Sequence, residues 1–129
     1  MASDRLNLLL TDFERVLARL DEALAAGSAP FARDSSILHF ELCFEVAWKS
    51  ARALALIQGL RPAGPRDSFS SLITLGLELD EQVLASMLRA RNDAVHLYHE
   101  ALAEALRAKL PGFLLEFRRI AAQIRQRTV

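Results

Sequence analysis

The chain has 129 residues, enough for one domain around one core. Sixteen Lys and Arg balance sixteen Asp and Glu, so no global positive field draws in nucleic acid and any RNA contact must be local. One cysteine, Cys43, excludes an internal disulfide and a cysteine metal cluster.

Alanine, leucine and arginine dominate and β-branched residues are sparse, so local propensity favours helix. From Asp4 to Ala26, Leu6, Leu9, Leu10, Phe13, Val16, Leu17, Leu20 and Leu24 recur at three and four, the spacing of one helical face. Ser3 is the expected cap and Gly27-Ser28-Ala29-Pro30 the stop. A second helix is predicted from Ser35 to Gln58, capped by Asp34, Ser35 or Ser36, with Ile37, Phe40, Phe44, Ala47, Trp48, Ala51, Leu54 and Ala55 as its apolar stripe. Cys43 falls among apolar neighbours and reads as an inert core thiol. Glu45 and Lys49 have the spacing of an i,i+4 pair or could line a cleft. Trp48 reads as a core anchor, with base stacking as the competing role.

Two prolines and two glycines between Gly59 and Pro65 mark a loop, and a short helix follows over Asp67 to Leu75, stopped by Gly76. Asp80 caps the next segment, which carries Val83, Leu84, Met87, Leu88, Arg91 and Val95 and bends or ends near Tyr98. Glu100 to Lys109 favours helix, and Pro111 is placed at the first turn of a last helix bearing Phe113, Leu114, Phe117, Ile120, Ala121 and Ile124. The expected fold is all-α, an antiparallel up-and-down bundle of four main helices plus a short one, in a single domain over residues 1–129. No apolar run reaches the roughly 20 residues of a membrane span. The start, Met1 to Arg5, turns amphipathic without a signal-peptide pattern, which predicts a cytoplasmic protein.

One run resists assignment to core, cap or plain solvent face: Arg91-Asn92-Asp93-Ala94-Val95-His96-Leu97-Tyr98. An arginine that stabilises phosphate charge and a histidine that moves a proton near neutrality suffice to cleave RNA without a metal. Asn92 and Asp93 would orient them, and Tyr98 could stack on a base or bond to phosphate. On a straight helix Arg91 and His96 point about 140° apart. A break near His96, a swung arginine, or a second copy of the chain supplying the missing group would each reconcile them. The competing reading is a solvated helix face, with Arg89 and Asp93 as an i,i+4 pair. His96 and His99 could hold zinc only with a third ligand, for which Glu100 alone stands nearby, so no metal and no cofactor are expected. From Arg107 onward the chain is locally basic, through Arg107, Lys109, Arg118, Arg119, Arg125 and Arg127 against Glu116; a phosphate-tracking face and helix-dipole complementarity are both open.

Arg91-Asn92-x3-His96 resembles the R-x4-H signature of the HEPN superfamily, and Tyr98 extends it to R-x4-H-x-Y. Phe44-Glu45-Val46-Ala47-Trp48-Lys49 resembles the Phe-Glu-x-x-Trp-Lys segment of one branch, the nucleotidyltransferase substrate-binding protein family; Gly64-Pro65-Arg66, Phe69, Gly76 and Met87 fit the same template. The resemblance covers about Leu6 to Phe117. It implies a small helical bundle that forms homodimers, binds a minimal nucleotidyltransferase, and takes RNA or a nucleotide as ligand. In related toxin–antitoxin modules the HEPN partner is an RNase, silenced when the nucleotidyltransferase attaches AMP to the motif tyrosine. Carried over, Arg91 and His96 are the RNase pair, Asn92 and Asp93 support them, Tyr98 is the AMP acceptor, and Glu45, Trp48 and Lys49 line a cleft. Two positions depart from the family pattern: His99 follows the tyrosine where an acid is frequent, and Val83 stands where an aromatic is frequent.

Overall fold

The structure, a computed structural model, describes residues 2–128. Five α-helices follow in order: α1 (Ala2–Ala25), α2 (Pro30–Ile57), α3 (Pro65–Thr74), α4 (Glu81–Asp93) and α5 (Glu100–Gln126), with a 3-10 turn, Ala94–His96, between the last two. Arg125 of α5 reaches Glu14 of α1 and Arg118 reaches Asp21, so these helices run antiparallel. Phe40 of α2 stacks near Phe113 and Phe117 of α5, while Arg33 near the start of α2 meets Glu100 at the start of α5, which makes that pair parallel. The four long helices therefore alternate up and down, with α3 packed beside α2 and α4.

Phenylalanines join the layers. Phe13 of α1 meets Phe117 of α5 edge-on, with ring centroids 6.0 Å apart. Phe117 lies 6.1 Å from Phe40, Phe40 lies 6.3 Å from Phe44, and Phe44 lies 5.8 Å from Phe69 of α3. Each edge-on or tilted contact adds about 0.5–1.5 kcal/mol beyond area burial. Of seven phenylalanines only Phe31 is exposed. Cys43 is fully buried and desolvation pushes its thiol up to about 12, as expected of an inert core residue.

Local signals hold where partners are local. The Asp80 carboxylate accepts the N–H groups of Gln82 and Val83 and caps α4. Gly76 ends α3 with φ of 91°, and Leu77 N–H returns to the Leu72 carbonyl, a Schellman closure.

Four expectations are corrected. Ser3 lies inside α1 rather than capping it. The second helix starts at Pro30, not Ser35, because proline fits the first helical turn; none of Asp34, Ser35 or Ser36 is its cap. Asp34 instead accepts from Arg33, and the Ser36 hydroxyl donates to the Arg33 carbonyl. Pro111 does not open a helix but sits within α5. Its ring faces solvent, while Leu106, Leu110, Phe113, Leu114 and Phe117 bury on both sides of it, and that burial outweighs the missing hydrogen bond.

Pro111→Ala should therefore raise stability by about 1–3 kcal/mol, since it restores a helical N–H at an exposed position and its gain is only partly offset by a freer unfolded chain. Urea denaturation measures it. Phe40→Ala, at the centre of the ring chain, should cost about 3–5 kcal/mol in the same assay.

Candidate functional site

The two sequence motifs meet in space. Phe44 and Glu45 follow one another on α2, Phe44 turned into the core and Glu45 toward its edge. Arg91, near the end of α4, lies across both: its Cζ sits 5.4 Å from the Phe44 ring centroid and its Nη2 donates to Glu45 Oε1 at 2.9 Å. The same carboxylate accepts from Trp48 Nε1 on Oε2 at 3.2 Å and lies 3.9 Å from Lys49 Nζ, which makes the expected i,i+4 pair. Glu45 is thus a hub linking α2 to α4. Arg91 and Glu45 are both about two-fifths exposed, so the ion pair by itself adds at most about 1 kcal/mol, and the aromatic face adds a comparable amount. Glu41, one turn earlier on α2, also feels the arginine. Burial holds its carboxyl above the ordinary range, and the positive field of Arg91 offsets part of that rise.

Beyond Arg91 the helix stops. Asn92 and Asp93 are its last residues, both exposed, and His96 sits on the 3-10 turn. Of the three arrangements the sequence left open, the chain takes the break before His96. The break does not bring Arg91 and His96 together: among the described residues no hydrogen bond joins them. His96 Nδ1 instead lies 3.5 Å from the Tyr98 hydroxyl, and the Tyr98 ring stacks at 4.6 Å on His99. Tyr98 is 78% exposed, and its neighbour Val95 is 74% exposed.

A second clamp holds the far end of this segment. Buried Arg33 forks onto Glu100, with Nη1 to Oε2 and Nη2 to Oε1 at 3.1 Å, and donates through Nε to Asp34 at 3.1 Å. The pairing pushes the arginine further up and holds the Glu100 carboxyl below its usual range. Sequence reading missed this pair, because the partners lie 67 positions apart and each looks like surface charge. It also removes Glu100 as a third ligand beside His96 and His99.

Trp48 is half-buried and packs against the core from its edge. The basic C-terminal stretch is largely engaged within the chain. Arg118 pairs with Asp21, Arg119 with Glu116 and Arg125 with Glu14; Arg107 donates to the Leu24 and Gly27 carbonyls, and Arg127 to that of Leu75. Arg89 and Asp93 form no ion pair among the described residues.

Residues 8–126 match the family model described as nucleotidyltransferase substrate binding protein like. A search of curated proteins finds no match. Among solved structures, a protein of Thermus thermophilus is 32% identical with a TM-score of 0.81, over 88% of this chain and 98% of that one. A tri-AMPylated HEPN toxin of Shewanella oneidensis, solved in complex with MNT antitoxin, is 25% identical with a TM-score of 0.75, over 94% and 96%. A substrate-binding domain of a nucleotidyltransferase from Haemophilus influenzae shares the fold at 19% identity and a TM-score of 0.70, over 95% and 98%.

Glu41 supplies a pH test. Its folded pKa is raised, so the folded state holds a proton that the unfolded chain releases, and Glu41 costs stability as pH rises above about 4.5. Glu41→Gln should raise Tm at pH 7 and leave it unchanged near pH 4; thermal melts at the two values measure the difference.

Proposed function

We propose that this chain, which belongs to the nucleotidyltransferase substrate binding protein like family, is the accessory partner of a minimal nucleotidyltransferase in a toxin–antitoxin-like module of the cytoplasm, and that Tyr98 is the residue its partner modifies. The observation that carries this reading is the Tyr98 phenol, exposed on a short turn, with His96 Nδ1 3.5 Å away. In the transfer, the phenol oxygen attacks the α-phosphorus of ATP, pyrophosphate leaves, and the phenolic proton passes to a base, the role assigned here to His96. The tri-AMPylated state of the Shewanella toxin supports the same chemistry here.

A second reading is a metal-independent RNase, with Arg91 on the phosphate and His96 moving the proton. Its support is a surface on α2. Phe31, Leu38 and Leu42 are exposed and spaced at seven and four, on the same helical face as Glu45 and Lys49. Phe31 is 94% exposed. Isolated exposed apolar residues are unremarkable, but a stripe beside a polar site marks an interface. A twofold dimer across it would place two copies of Arg91 and His96 in one groove, with base and acid for the 2′-oxygen and the leaving 5′-oxygen. Asn92 and Asp93 would orient the pair. Arg91 would exchange Glu45 for phosphate. An adenylyl group on Tyr98 would set a phosphate against His96 and silence it, so the two readings describe one module.

Incubation with the neighbouring nucleotidyltransferase and ATP should add adenylyl mass to the intact protein and none to Tyr98→Phe, read by mass spectrometry; equal labelling of both would refute the acceptor. RNA cleavage in EDTA should fall about 10²–10⁴-fold in His96→Ala. Leu38→Glu with Leu42→Glu should give monomers by light scattering and lose cleavage while keeping helical circular dichroism. A dimer that survives both changes counts against this interface.

A further inference from the structure

Beside the Glu45 hub, further along α2 than the Phe31–Leu42 stripe, Arg5 of α1 and the C-terminal half of α2 line a cleft of about 170 Å³. Trp48, Ala53 and Leu56 form its apolar lining, and Lys49, Arg52 and Arg5 from α1 supply its charge. Three cations here have little to neutralise them. Arg5 and Arg52 form no ion pair among the described residues, and Lys49 has only Glu45, which is already held by Arg91. The contrast with α5 is plain, since Arg118, Arg119 and Arg125 each meet a carboxylate. The indole is oriented as well: its N–H is tied to Glu45 Oε2, which fixes one edge of the ring at the cleft.

We propose that this cleft is a nucleotide subsite, in which one base stacks on Trp48 and its phosphate is held by Arg5 and Arg52. The proposal rests on the reading of this chain as one that handles nucleotidyl groups, and adds two residues outside both sequence motifs. The chemistry follows from the lining. An aromatic face with adjacent cations binds a flat, anionic ligand, and base–aromatic stacking tolerates any base because every base has a π-face. The volume suits one base, not an extended ligand. Neighbouring Glu45 repels phosphate, which sets the polarity: base toward Trp48, phosphate toward Arg5 and Arg52. A free nucleotide and one nucleotide of an RNA strand present the same groups.

Trp48 is the only tryptophan, so its fluorescence reports stacking directly. The assay uses the full chain carrying His96→Ala, which keeps RNA intact, titrated with AMP and separately with a short single-stranded oligoadenylate. Saturable quenching by either ligand is expected, weakened about ten-fold or more by Arg5→Ala with Arg52→Ala. For the oligomer, the log–log salt slope should fall by about 0.7 for each cation removed. Quenching by AMP assigns a free-nucleotide site, and quenching by the oligomer alone assigns a strand-tracking site. Absence of quenching with both ligands, or identical affinity in the double variant with its helical circular dichroism intact, overturns the proposal. Cleavage and Tyr98 labelling are scored separately in the chain with His96 restored. Their presence without quenching removes the cleft alone, and quenching without them removes only the earlier reading.

Discussion

The structure depends on its line of phenylalanine rings. Phe13, Phe117, Phe40, Phe44 and Phe69 pass contact from α1 through α5 and α2 to α3, and the last helix to join, α4, lays Arg91 over Phe44. Core and site are therefore continuous. Phe44 is both a packed core residue and the face under a guanidinium, and its neighbour Glu45 closes the grip. The rings set where α4 lies, and a short exposed ion pair with little energy of its own sets where its arginine points.

Charge is distributed with the same division of labour. The C-terminal arginines help close the bundle: Arg118 and Arg125 pair with acids of α1, and Arg107 and Arg127 satisfy carbonyls at the ends of α1 and α3. Glu116 of α5 accepts the Asp80 N–H at 2.8 Å, and Gln123 exchanges two hydrogen bonds with the Glu78 backbone, so α5 also fixes the loop that leads into α4. Net charge is zero, yet local balance is not: Arg5 and Arg52 line the Trp48 cleft with no ion pair among the described residues. A sequence count cannot reveal such a patch, because it depends on which partners the fold brings within reach.

The segment from Asp93 to Glu100 carries the reactive candidates. None of its residues is buried, and it is fastened at both ends, by Arg91 on Glu45 and by Arg33 on Glu100. No glycine or proline ends α4. Past the end of α4, His96, Tyr98 and His99 cluster through their own rings. Exposed groups on a tethered turn are accessible to a second protein or a second copy, which a histidine and tyrosine inside the bundle would not be.

The all-α class, the core faces of the helices, the Asp80 cap and the Gly76 stop follow from the sequence alone, because each is written in spacings of two to four residues within a single element. The motif residues Arg91, His96, Tyr98, Glu45 and Trp48 were legible as types in a pattern. Their arrangement was not. That Arg91 would close on Glu45, that Arg33 would fork onto Glu100, that α5 would run through Pro111, and that Arg5 and Trp48 would line one cleft are settled by packing between distant positions. Local propensity carries no information about them, since their free energy exists only once the helices are packed.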